Sequence, residues 1–461
     1  MTGFQKDLVG AAIFSAAFVL VLVAAELWRR SGKARPEWSR KLVHLVGGLL
    51  SLVLPLLVAS PWVVLALCAT MFAVLLVGRR TGSLQSLHGV ARPTRGVEYY
   101  PLAVFLVFFL SEGRYWLYVS SLLVLAVADA FAALVGSRYG SIRYQVETEY
   151  KTLEGSVFFL ISAFLAMHLP MLLLTDLPRA TCVLAALLVA AIVTGFEAIS
   201  LHGADNLFVP IGVCVILSKI TSKPVSEIVY QIVSLALIST GVGVVVHRVR
   251  SFNVGGTILF LLFVYGAWSL GSELWALPVL AAFAAYMVAW FAWPVDSAKD
   301  LAVRVRLMFH AIVVPTLILV VGNTVQAGST MYAPFLVAMA TVLSFILLNH
   351  RLMAGLGGGV SRAGFAAKTA LVSSAVVLVP PWCILANIHA GILLVYAAVV
   401  LAAALVNHLL IGREPRLGSE QRWSAARILL TLVAAGAVLL MELAGVLPLW
   451  NVIETVGLRP F

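Results

Sequence analysis

Most of the side chains able to do chemistry lie between residues 35 and 210 of this 461-residue chain. Asp129 sits well inside the apolar run Tyr115 to Gly136, where a charged group costs about 2.5 to 3.5 kcal/mol on insertion scales and ordinarily faces a polar interior. Ala133, Gly136 and Gly140 follow it at helical spacing, a stripe of small residues that lets another backbone or a phosphate come close. Lys151-Thr152-Leu153-Glu154-Gly155-Ser156 stands immediately before the next apolar run. There the free N–H groups and positive end of a helix would adjoin an ammonium, an arrangement that stabilises anionic phosphate, with Gly155 allowing close backbone approach. Thr and Ser before a helix serve equally as caps. Glu197, followed by Gly203-Ala204-Asp205-Asn206 and Pro210, brings two more carboxylates to the level of Asp129 and Lys151. Hard oxygen donors at one depth suit Mg²⁺ carried by a nucleotide. Upstream, Arg40, Lys41 and His44 open a run whose Gly47 and Gly48 continue the His44 face. Arg95 and Glu98 precede Tyr99-Tyr100-Pro101, where the aromatics serve equally as interface anchors; for Arg40 the alternative is a snorkelling flank.

The elements that must position these groups are membrane spans. The chain is 62% hydrophobic and 11% charged, with a mean hydropathy of +1.04, against roughly 25% charged residues in soluble domains. A water-soluble fold is excluded. Apolar runs of the roughly 17 to 25 residues needed to cross a bilayer recur from end to end. The expectation is an all-α polytopic protein of about sixteen spans, near 8–28, 42–60, 61–78, 99–111, 115–136, 155–175, 180–200, 207–218, 228–246, 254–271, 274–294, 308–326, 331–349, 370–387, 390–411 and 428–448. The short runs at 99–111 and 207–218 have a re-entrant alternative. The first run has a weak basic flank before it and Arg29, Arg30, Lys33 and Arg35 after it, the reverse of a cleavable signal peptide, so it reads as a retained span. Most of the 31 Lys and Arg residues fall in alternate connections, which the positive-inside rule makes cytoplasmic. That places the chemical groups at the cytoplasmic face of an inner, cytoplasmic membrane. The net charge of +11 and pI near 9.7 are dispersed among short connections, the pattern of orientation signals rather than of a nucleic-acid-binding arm. Cys68, Cys182, Cys214 and Cys383 occur singly, without metal-ligand or disulfide spacing. A boundary near His247 to Asn253 divides the chain into a catalytic module, 1–247, and an accessory one, 248–461; the sequence sets no oligomeric state.

These residues resemble the polyprenol kinase family, which includes phytol kinase and dolichol kinase and is related to CTP:phosphatidate cytidylyltransferases. The motifs are Arg40-Lys41-Leu42-Val43-His44 with Gly47-Gly48; Arg95 with Tyr99-Tyr100-Pro101-Leu102; Asp129 with Gly136, Arg138 and Gly140; Lys151-Thr152-Leu153-Glu154-Gly155-Ser156; and Glu197 followed by Asp205-Asn206-Leu207 and Pro210. They keep family order over residues 35 to 215. The resemblance implies CTP as phosphate donor, Mg²⁺, and a membrane isoprenoid or glyceride alcohol as acceptor. It assigns nucleotide contacts to Arg40, Lys41, Arg95, Arg138, Gly140, Thr152, Glu154, Gly155, Ser156 and Asn206, with Asp129, Glu197 and Asp205 as metal ligands. The connection from Gly140 to Lys151 departs from the family pattern, leaving nucleotide contacts by Arg143 or Tyr144 open.

On this reading the hydroxyl of a lipid alcohol attacks the γ-phosphate of Mg·CTP. Transfer of this kind is mainly positioning and charge neutralisation, tasks for Lys151, Arg138 and the helix start at Glu154 to Ser156. His44 and Asp129 are alternative general bases. Cytidylyl transfer to a lipid phosphate, and a lipid transporter or flippase with buried acids, are the rival functions. Nothing in residues 250 to 461 matches the kinase pattern. Its Gly355-Leu356-Gly357-Gly358-Gly359 segment reads as an inter-span loop, and Glu273, Asn323, Gln326, His408 and Glu442 as helix contacts.

Overall fold

Hydrocarbon offers no partners to backbone N–H and C=O groups, so long apolar runs become helices that satisfy them internally. The computed structural model describes residues 2–31, 36–81, 95–147, 149–249, 251–293, 305–353, 362–385, 388–413, 420–450 and 452. Each apolar run of the sequence falls on a helix within these residues. By length and composition, twelve helices among the described residues are able to cross a membrane, the architecture of an integral multi-pass protein. The expected count of about sixteen is not reached on this measure. Leu42–Leu57, Gly96–Leu110 and Met308–Thr324 are shorter apolar helices, and Asp205–Ile220 has 16 residues.

The chain forms two compact units, Met1–Val233 and Ser234–Phe461, with the boundary inside the helix Val225–Val249. In the first, α1 (Gly3–Arg30), α2 (Pro36–Ser51), the single turn α3 (Leu54–Leu57) and α4 (Pro61–Thr81) precede α5 (Gly96–Leu110). Next come α6 (Tyr115–Tyr139), α7 (Leu153–Leu174), α8 (Arg179–Ile199), α9 (Asp205–Ile220) and the boundary helix α10 (Val225–Val249). α6 is not uniform: Val124–Ala128 is a π-helical turn immediately before Asp129. Between α6 and α7 lies an antiparallel hairpin of β1 (Arg143–Val146) and β2 (Glu149–Thr152), in which Tyr144 pairs with Lys151 and Arg143 with Thr152. The all-helical expectation holds for the framework, and among the described residues this hairpin is the one sheet. α6 and α7 pack closely because Gly136 and Gly155 face each other: a Cβ on Gly155 would stand 3.1 Å from the Ala132 carbonyl oxygen and 3.4 Å from Gly136 Cα.

In the second unit, α11 (Val254–Gly271) and α12 (Glu273–Ala292) are followed by α13 (Val305–Thr324), α14 (Gly328–Met353), α15 (Arg362–Leu385), α16 (Ala390–Arg413) and α17 (Glu420–Leu443). α14 is the central helix of this unit, almost wholly covered by its neighbours. Polar groups act here as helix contacts: Asn323 Nδ2 donates to the Leu270 carbonyl at 2.9 Å, and Trp268 Nε1 donates to Glu273 Oε1 at 3.3 Å. The glycine-rich segment at 355–359 lies outside the described residues.

Candidate active site

In the first unit one cavity of about 320 Å³ gathers groups from α2, α6, β2, α8 and the start of α9. Asp129, Ala130 and Ala133 of α6 line it, directly after the π-helical turn Val124–Ala128, a feature that interrupts the usual carbonyl ladder and recurs at functional sites. There the Leu125 carbonyl lies 3.1 Å from His44 Nε2. A carbonyl can only accept, so Nε2 carries the proton in this bond. The same nitrogen is 3.5 Å from Asp129 Oδ2. α2 reaches this depth because Gly48 has no side chain; a Cβ there would lie 2.5 Å from Ala126 Cβ. Tyr100 also lines the cavity, its ring edge-on to His44 at 6.4 Å and its hydroxyl donating to Ser51 Oγ at 2.7 Å.

The hairpin supplies the ammonium. Alternation along β2 turns Glu149 and Lys151 to one face, and both line the cavity. Lys151 Nζ donates to Glu197 Oε1 at 2.7 Å and also to the Glu197 carbonyl near the end of α8. Both side chains are largely buried, at 15% and 13% exposure. Burial alone would lower the Lys151 pKa, but the Glu197 and Asp205 carboxylates outweigh it and hold the ammonium above its ordinary range. Glu149 Oε1 accepts from the His202 N–H at 3.2 Å, and the Arg95 N–H donates to the His202 carbonyl at 2.9 Å. These bonds tie the hairpin and α5 to the turn before α9, where His202 (φ 56°) and Gly203 (φ 83°) adopt left-handed backbone. That turn presents Asp205 and Asn206 to the cavity.

The structure therefore brings His44, Asp129, Lys151, Glu197, Asp205 and Asn206 together. Arg95, Arg138, Gly140, Thr152, Glu154, Gly155 and Ser156 are not among the cavity's lining residues. The space that Gly155 leaves open is occupied by α6, and Thr152 Oγ1 caps α7 by accepting from the Gly155 N–H at 3.2 Å. Glu154 accepts from the N–H groups of Ser141 at 2.9 Å and Ile142 at 3.1 Å and from the Ser141 hydroxyl, while Ser156 and Tyr144 share a hydroxyl bond of 2.7 Å. Arg138 is exposed, with its guanidinium over the Tyr139 ring. The side chains of Arg40 and Lys41 lie outside the described residues.

Sequence reasoning missed Glu149, whose only signal was its place two residues before Lys151. It also missed Ser200, a lining residue whose buried Oγ has no partner among the described residues. Nor did it foresee an apolar wall made by Phe18 and Leu22 of α1 and Met71 and Leu75 of α4.

Among the described residues, no group of three or more His, Cys, Asp or Glu side chains converges to hold a metal ion by itself. The cavity is nonetheless rich in carboxyl groups, with Asp129, Glu149, Glu197 and Asp205 set against Lys151 among its lining residues. Such a wall fits an ion carried in by a nucleotide, which needs only one or two protein carboxylates, rather than an all-protein cage.

No protein-family model matches the chain, and no solved structure matches it. A phytol kinase of Synechocystis sp. is 33% identical over 196 residues, which are 42% of this chain and 83% of that protein. With most of that relative's length covered, the chain belongs, through this segment, to the phytol kinase-like polyprenol kinase family.

Proposed function

We infer that the first unit is a CTP-dependent kinase that transfers the γ-phosphate to a membrane isoprenoid or related lipid alcohol, working at the cytoplasmic face of the inner membrane. The observation that carries this reading is the two-sided cavity, with acids and an ammonium on one wall and apolar side chains of α1 and α4 on the other. An amphiphile with a hydroxyl head suits that division, and the matched relative is by name a phytol kinase.

In the proposed reaction the alcohol oxygen bonds to the γ-phosphorus, the bond from γ-phosphorus to the β–γ bridging oxygen breaks, and CDP leaves. The hydroxyl proton passes to Asp129. His44 is the less suitable base at Nε2, because that nitrogen already donates to the Leu125 carbonyl; it stands 3.5 Å from the Asp129 carboxylate as a polar neighbour. Lys151 offsets phosphate charge as the transition state forms, held in place by Glu197. Mg²⁺ bound with the nucleotide would supply further charge neutralisation, and Asp129 and Asp205, which line the cavity, would hold it.

The test is to incubate purified protein, Mg²⁺ and a panel of membrane alcohols with CTP labelled at either the α or the γ phosphate. Label from the γ position alone in the lipid product is the expected result. Label from the α position would replace the proposal with cytidylyl transfer, and absence of both across the panel would refute an enzymatic role for the cavity.

A further inference from the structure

Phosphate chemistry does not explain the apolar half of the cavity. Phe18 is 7% exposed and packs on Phe14 with ring centroids 6.2 Å apart. Its edge stands against α2: a Cβ built on Gly47 would lie 3.2 Å from Phe18 Cε2. Gly47 is one helical turn beyond His44, so the ring borders the end of the cavity where His44 and Asp129 meet. Leu22, Met71 and Leu75 continue the wall, joined through a small buried cluster with Val43 and Ala25.

The volume limits what this wall can read. About 320 Å³ lies at the low end of the roughly 300 to 1,000 Å³ of ligand pockets, and phosphate groups must share it. A long hydrocarbon tail cannot also fit. α1 and α4 offer the tail a way out, since in each only 22% of the spanning window is covered by protein. We propose that Phe18, with Leu22, Met71 and Leu75, forms the specificity-determining wall for the acceptor: it reads the few carbons next to the hydroxyl and leaves the rest of the chain in the bilayer. This rests on the kinase reading above and adds to it the part of the lipid that is recognised.

The experiment measures kcat/KM of the full chain in lipid nanodiscs with γ-labelled CTP. The acceptors are short and long prenols sharing one terminal unit, a straight-chain primary alcohol, and diacylglycerol, which is bulky beside its hydroxyl. Wild type is expected to vary less than about threefold with prenol length. Phe18→Ala should shift the diacylglycerol-to-prenol ratio upward by about tenfold or more, a range typical of small changes in an apolar pocket. Phe18→Leu provides a milder variant should the alanine form fold poorly, and Leu20→Ala, 68% exposed on α1, should leave the ratio unchanged. Wild-type ratios in both Phe18 variants, or a strong dependence on prenol length, would overturn the proposal while leaving the kinase reading intact. Failure of wild type to phosphorylate any alcohol would instead overturn the kinase reading, and this inference with it.

Discussion

Replacing Lys151 with Met, Glu197 with Gln, and both together tests whether the cavity is held by the buried pair described above. At 2.7 Å and an effective dielectric near 20, the attraction amounts to about 6 kcal/mol, much of which offsets the desolvation of two ions. The net value of the pair is therefore small, yet losing one partner strands the other. Lys151→Met leaves the Glu197 carboxylate without its ammonium, and Glu197→Gln leaves the ammonium with a neutral amide oxygen, the backbone carbonyl of residue 197 and more distant charges. Each single variant should lose about 3 to 5 kcal/mol of stability, whereas the double variant should return to within about 1 to 2 kcal/mol of wild type. Unfolding in detergent can be followed with a thiol-reactive dye, because Cys68, Cys182 and Cys214 are buried in the folded protein. Activity should not recover with stability: all three variants lose the ammonium or its positioning, and each should fall by about 10²-fold or more in kcat/KM. Single variants as stable as wild type, or a double variant no better than the singles, would refute the reasoning from burial and pairing.

Further expectations follow from the same geometry. Asp129→Asn should lower kcat by about 10²- to 10⁴-fold, the range for losing a general base, and His44→Gln by clearly less; the reverse order in a γ-phosphate transfer assay would make His44 the base. Gly155→Ala places a methyl against the Ala132 carbonyl and Thr152 Oγ1 and should cost about 1 to 3 kcal/mol by overpacking, with activity falling in proportion to the folded fraction; loss of activity in fully folded protein would point to a phosphate contact instead. Glu154→Gln should speed hydrogen exchange at the Ser141 and Ile142 amides that its carboxylate holds, and unchanged exchange there would show that the hairpin does not depend on this clamp.

Helix positions were legible because composition and run length carry them almost unaided: every apolar run became a helix. Span number was less so, since helices such as Leu42–Leu57 and Gly96–Leu110 are apolar but short, and hydropathy does not say whether a short helix crosses. The hairpin was not legible. Its turn has Glu147 at φ 52°, without the Gly or Asn that marks tight hairpins, and its strands are four residues each. The Lys151 to Ser156 motif is legible as a phosphate-binding helix start or as a plain cap; what pattern alone does not show is that Lys151 lies on a strand beside Glu197, while Thr152, Glu154 and Ser156 bind hairpin and helix together. Asp129, His44, Glu197 and Asp205 were identifiable because ionisable groups at membrane depth are costly unless they face one another or a polar space. The apolar wall was invisible for the converse reason, since in a chain this hydrophobic nothing distinguishes Phe18 from a residue facing lipid.

The π-helical turn links these observations. An α-helical continuation of α6 through Val124–Ala128 would engage the carbonyls of that segment in the regular ladder and rotate Asp129 by a fraction of a turn relative to the helix below. As observed, the Leu125 carbonyl accepts from His44, which places the imidazole proton on Nε2 and leaves that nitrogen 3.5 Å from Asp129 Oδ2. Gly48 against Ala126 gives α2 the close approach this bond requires, and Phe18 against Gly47 brings the apolar wall to the same point. A local change in helix winding thus sets three things at once: the direction of the carboxylate, the tautomer of its histidine neighbour, and the distance between the acid and the surface that would meet a lipid. At this point the Nε2 proton of His44 is committed to a backbone carbonyl, which leaves the Asp129 carboxylate beside it as the acceptor lining the cavity.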